Sequence, residues 1–209
     1  MKKVLWVVAF VAAFVAVKEG KQWWFDARAM DKAGAAANKE MDDMRAKAIV
    51  EHPGKPPVLA FEDEALKRSV KELAKESGDK KADTAAGQFI GFYMVNVRTR
   101  PDYCKALGVD ISPFTNEFIA QHKDLYAKSR MIHARSPYAP DKIENEMFKQ
   151  LQPTFKKTIQ DDLALAAKQN NATEKDVCEA LASNGKEMAA EMHLSKLAPA
   201  LYQAMVEAK

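Results

Sequence analysis

Apolar residues recur along most of this chain at the alternating three and four spacing of helices, and only the first stretch departs from that period. Val4 to Val17 is an uninterrupted apolar run of fourteen residues behind the basic Met1-Lys2-Lys3. As a helix it spans about 21 Å, short of the roughly 30 Å hydrocarbon core of a bilayer. That length and the basic start read as a signal-anchor with its N-terminus inside; a cleaved signal peptide is the alternative. Trp23, Trp24 and Phe25 follow where an interfacial aromatic belt would lie, which favours the anchor. Residues 1–25 are therefore expected to carry export and a membrane connection.

From Ala27 to Ala48 the stripe Met30, Gly34, Ala37, Met41, Met44 and Ala48 predicts a helix. Three prolines and a glycine between Glu51 and Pro57 then predict a linker. Residues 26–60 read as a membrane-proximal helix with its Pro-rich linker, and residues 61–209 as the main helical domain. Within it, Phe61 to Ser77 is amphipathic and charged, and Gly78-Asp79 closes it. Ala86, Phe89, Ile90, Tyr93, Met94 and Val97 mark a helix over 84–97, with Phe92 and Val95 off the stripe, so this element is apolar nearly all round and central. A buried strand over 89–97 is the competing reading.

After a short Cys-bearing helix, Ser112 and Pro113 predict an N-cap and first-turn proline for a helix to about Ala134, with Phe114, Phe118, His122, Leu125 and Ile132 on its core face. Asp141 and Glu144 predict a capping box for a long helix to Asn170, kinked at Pro153. A second short Cys helix follows, then a last helix over 186–208 bent at Pro199. The fold class is all-α, a multi-helix bundle-like domain.

The two Cys helices read alike. Thr99 to Leu107 and Thr173 to Leu181 both spell T-x-x-D-x-C-x-A-L, with Thr as helix cap and Asp supporting it. Farther on, Phe114 corresponds to Met188, Glu117 to Glu191 and Phe118 to Met192. One reading is an internal duplication of long helix, short Cys helix, long helix; the other is the common recurrence of capping residues. Cys104 and Cys178 are the only cysteines, both downstream of the export segment, and are expected to form one disulfide.

Composition removes several functions. Leaving out Lys2 and Lys3, 30 basic residues face 29 acidic ones, which argues against a nucleic-acid binder. His52, His122, His133 and His193 fall in no paired metal spacing, and there is no nucleophile elbow, phosphate loop or C-x-x-C, so no catalytic residue, metal or cofactor is assigned. His122, between Phe118 and Leu125, reads as a hydrogen-bonded core histidine. Lysine outnumbers arginine 25 to 7, yet Arg98, Arg100, Arg130 and Arg135 cluster in sequence. They are the candidate surface for an anion or acidic partner, although helix C-termini alone would favour cations there.

The expectation is an exported, membrane-tethered or periplasmic helical module that binds a protein partner of the cell envelope, of inhibitor or immunity type as one variant, and not an enzyme. The second class is an envelope enzyme or small-ligand carrier with a pocket between helices.

Overall fold

The computed structural model describes residues 27–208, so the apolar leader and the Trp23-Trp24-Phe25 belt lie outside the described residues. The elements are α1 (Ala27–Glu51), α2 (Pro57–Lys75), α3 (Gly78–Met94), a π turn (Val95–Thr99), α4 (Arg100–Ala106), α5 (Ser112–His133), α6 (Pro140–Asn170), α7 (Glu174–Ser183), α8 (Gly185–Glu191), α9 (Leu194–Leu197) and α10 (Pro199–Glu207). The fold is all-α, as the helical period predicts, and residues 89–97 are helix rather than strand. Among the described residues, no helix is long and apolar enough to cross a membrane.

α3 is the central helix because it is apolar on every side. Ala85, Ala86, Phe89, Ile90, Phe92, Tyr93 and Met94 are all buried, and Gly87 and Gly91 with them. Against it α5 sets Phe118, His122 and Tyr126, giving a layered aromatic core in which Tyr93 stacks on Tyr126 at 4.5 Å and Phe92 meets Phe118 at 5.4 Å. α5 packs in turn on α8, where Gly185 allows close approach: a Cβ there would lie 2.6 Å from the Phe114 nitrogen.

α1 and α2 form an antiparallel hairpin, with Glu40 bridging to Arg68 and His52 near the turn bonding Glu64 at 3.2 Å. The Pro-rich stretch is this turn, and α2 already begins at Pro57, whose missing N–H suits a first helical turn. α1 runs parallel to α6: Asn38 bonds the Gln150 carbonyl at 3.0 Å, and Arg45 bonds Thr158 at 3.0 Å, two turns farther along both helices. Pro153 lies inside α6 close to this contact. It cannot donate to the Lys149 carbonyl one turn back, while the next carbonyl, of Gln150, accepts the Asn38 side chain as a second donor. Ala37, Met41 and Ala48 of α1 belong to the same core as α2 to α10.

The caps differ from the sequence reading in informative places. α6 starts at Pro140 with no side-chain cap on Ala139, so Asp141 and Glu144 form no capping box. Both carboxylates turn instead to Arg130. α5 begins with Ser112 already inside the helix, and Asp110 accepts its backbone N–H at 2.9 Å and its hydroxyl at 3.0 Å. The last predicted helix is three short ones: at His193 the chain is extended and the ring caps the Ser195 N–H, and at Ala198 it breaks because Pro199 cannot donate and the residue before a proline avoids the helical region.

Candidate functional site

Cys104 on α4 and Cys178 on α7 are disulfide-bonded and fully buried. Their helices reach this common bond by different routes. α7 is a separate helix behind the left-handed Asn171 (φ 51°), with a complete capping box between Thr173 and Asp176. α4 has no such start: Thr99 is helical, caps nothing and lies at the end of the π turn that continues α3. Pro101 supplies a reason, since its ring and missing N–H disturb the preceding helical turn, and the chain widens there so that the Arg100 N–H reaches the Val95 carbonyl. Asn96 donates its side-chain amide to the Phe92 carbonyl at 3.0 Å, helping to satisfy the widened ladder.

The π turn aims Arg100 into the protein. Its side chain is 1% exposed, bonds Asn96 Oδ1 at 3.1 Å and forms a 2.8 Å ion pair with Asp162 of α6, itself 2% exposed. One residue earlier, Asp161 lies 3.6 Å from Arg45 of α1, whose guanidinium also sits 4.3 Å over the Phe61 ring. Glu62, next to Phe61 on α2, completes this buried polar junction. Its Oε1 and Asp162 Oδ1 are both buried without a hydrogen-bond partner. Burial and then the Asp162 charge push the Glu62 carboxyl well above the ordinary glutamate range, against the pull of Arg100. Burial also raises Asp162, to about 6, while Arg100 holds it down by charge and hydrogen bond. The direct guanidinium contact belongs to Asp162.

The four arginines singled out in the sequence do not make one surface. Arg100 is in the core and is removed from the candidate anion site by its burial. Arg135 is paired with the exposed Asp79 at 2.9 Å. Arg98 and Arg130 do converge, because both act on the buried carboxylate of Glu144. Arg130 is already engaged by Asp141 at 2.5 Å, Glu144 at 3.3 Å and the Tyr126 hydroxyl at 3.2 Å. Arg98 bonds Asn145 at 3.1 Å and lies 5.2 Å from the Phe148 ring centroid. The charge of Arg130 is spent on the carboxylates at the start of α6, whereas Arg98 meets the neutral Asn145 amide and the Phe148 ring.

His122 is a core histidine with a defined tautomer. Its Nε2 accepts the Leu194 backbone N–H at 3.1 Å, so Nδ1 carries the proton and donates to the Phe118 carbonyl at 2.9 Å. Burial lowers its pKa to about 4, leaving the ring neutral near pH 7. His193 stacks on it at 4.9 Å and accepts the Ser195 N–H at 3.3 Å. Among the described residues no group of histidine, cysteine and carboxylate side chains is arranged to hold a metal.

An open groove of about 480 Å³ runs between α1 and α2, lined among others by Glu40, Asp43, Lys47, Glu64, Lys67 and Lys71. Its charged, shallow walls differ from a deep apolar pocket of the kind that encloses small ligands. Sequence reasoning missed Glu62, Asn96 and Asp162, the groups on which the buried junction turns. Its one available signal was Asp162 beside the stripe residues Ile159 and Leu163. No protein-family model, curated protein or solved structure matches this chain.

Proposed function

We propose that this protein is an exported helical module, held at the membrane by its N-terminal segment, that binds another protein of the cell envelope without catalysing a reaction on it. The observation that carries the reading is the buried Cys104–Cys178 disulfide, a bond that persists in oxidising compartments. The apolar run behind Lys2 and Lys3 supplies the matching export signal in the sequence. The internal neutralisation of Arg100 and Arg130 supports a stable shape over an anion-binding site. An inhibitor of a toxic envelope enzyme is one form such a module takes, since inhibition needs only a rigid and complementary surface.

The test combines location, thiol state and capture. Cells expressing the full chain are quenched in acid, alkylated with a mass-tagged maleimide and fractionated. The expected result is a membrane fraction in which neither Cys104 nor Cys178 is alkylated until a reductant is added. The full chain, purified in mild detergent from envelope extract, should retain one protein in stoichiometric amount. Free thiols in a cytosolic fraction would overturn the export reading, and a co-purifying small molecule in place of a protein would overturn the binding reading.

A further inference from the structure

We propose that Glu62 is a proton-operated latch, holding the α1–α2 hairpin against α6 and the π turn while protonated and loosening it when ionised. The argument begins with a charge count in the buried junction. Arg45, Arg100 and Lys157 face Asp42, Asp161 and Asp162, which balances three cations with three anions. Lys55 and Asp63, at the start of the hairpin's second arm, pair with each other. Glu62 is the one acidic group left over, and it faces Asp162 as well as Arg100. The buried faces of α3 and α10, the other helices against α2, carry no charged side chain; α3 contributes Gln88, which accepts the Ser69 hydroxyl at 2.8 Å. Glu62 is half-buried with its Oε1 enclosed, so a carboxylate there would be a surplus anion with one oxygen removed from water, whereas a carboxylic acid is neutral and supplies an O–H donor in a region holding two unpartnered carboxyl oxygens.

The hairpin is built to respond as a unit. Its exit toward α3 is an extended link, Glu76 and Ser77, followed by Gly78 at φ +56° with open space around it. That link can absorb a rotation of α2 without breaking a helix. Beside the apolar contacts of Ala37 and Met41, its polar docking on α6 consists of Asn38 with the Gln150 carbonyl and the Thr154 hydroxyl, and Arg45 with Thr158 and Asp161. The sign follows from linkage. Protonated in the docked state above the pH at which it ionises when exposed, Glu62 stabilises docking most at low pH, and that contribution is lost as pH rises.

Hydrogen exchange of the full chain in detergent, followed from pH 6 to pH 9, tests this. At each pH the α1 and α2 amides of the wild type are compared with those of Glu62→Gln, so that base catalysis of exchange cancels. The expected result is a wild-type opening equilibrium that rises by up to about tenfold per pH unit relative to the variant, with the α5 and α7 amides unchanged. Parallel profiles for the two proteins would overturn the latch. If Glu62→Gln does not fold, Glu62→Met takes its place. A difference infrared spectrum of the wild type gives an independent reading. A protonated carboxyl band at pH 6 must fade in step with hairpin opening, and its absence at pH 6 would overturn the proposal.

Discussion

Thr99 to Leu107 and Thr173 to Leu181 share five identical positions, yet the protein uses them in opposite ways. In the second segment the pattern acts locally: the Thr173 side chain accepts the Asp176 N–H at 3.2 Å, and Asp176 accepts the Thr173 N–H at 2.8 Å, starting a new helix. In the first, the same Thr sits inside a helix that never stopped, and its hydroxyl is buried without a partner. The residue after each Thr diverges accordingly. Arg100 is swung into the core onto Asp162, while its counterpart Glu174 stays near the rim and accepts the Tyr103 hydroxyl of the other segment. A capping pattern is thus a preference that a preceding helix can override: α3 is so apolar on all sides that ending it before Thr99 would expose the carbonyl end of a buried helix.

What the segments share is long-range, the disulfide and the burial pattern beyond it. Phe114 and Met188 are both buried, and so are Phe118 and Met192, although one pair lies on the long α5 and the other on and just after the short α8. The largest effect is expected from breaking this shared feature. The bond joins residues 74 apart in sequence, and in the chain-entropy model its loss costs about 4 kcal/mol. The double substitution Cys104→Ser, Cys178→Ser should lower the denaturation midpoint accordingly. Equal midpoints for the two proteins would show that packing alone holds α4 against α7.

The next effect separates the segments. Arg100→Met leaves Asp162 buried without its cation and should cost about 3 kcal/mol, the penalty for breaking a buried pair from one side. Glu174→Gln, at the matching position, should cost less than about 1 kcal/mol because its partner and surroundings are partly solvated. Urea denaturation of both variants measures the difference; equal losses would mean that the two positions are equivalent after all.

The legible part of the molecule follows from this contrast. Long stripes such as Ile143, Met147, Leu151, Phe155, Ile159 and Leu163 declare a helix because burial of one face dictates the period, and α6 carries them as predicted. The cysteine pair is legible because the chain holds two cysteines, each with one available partner. Glu62 is not, since it lies in the run Glu62-Asp63-Glu64 that has the appearance of a solvated helix face. Asp162 hides beside Asp161 for the same reason, and only the crossing of α6 with the π turn distinguishes one from the other. The arginine cluster misleads because sequence proximity hides direction: two residues apart, Arg98 and Arg100 reach Asn145 and Asp162, in opposite halves of α6.

The smallest effect gives the sharpest comparison, since one substitution made twice should have different results. Thr173→Val removes a hydroxyl that accepts the Asp176 N–H and leaves the start of α7 uncapped, a loss of about 1 kcal/mol. Thr99→Val keeps the branched shape and removes a buried hydroxyl without a partner. Relief of that desolvation should make it neutral or stabilising by up to about 1 kcal/mol. Valine is the right probe because it preserves volume and helix propensity at both positions, so the hydroxyl is the only variable. Thermal melts of the two single variants read the sign directly. A loss of similar size at both positions would mean that Thr99 has a partner in solution and that the two segments are closer in structure than their helices suggest.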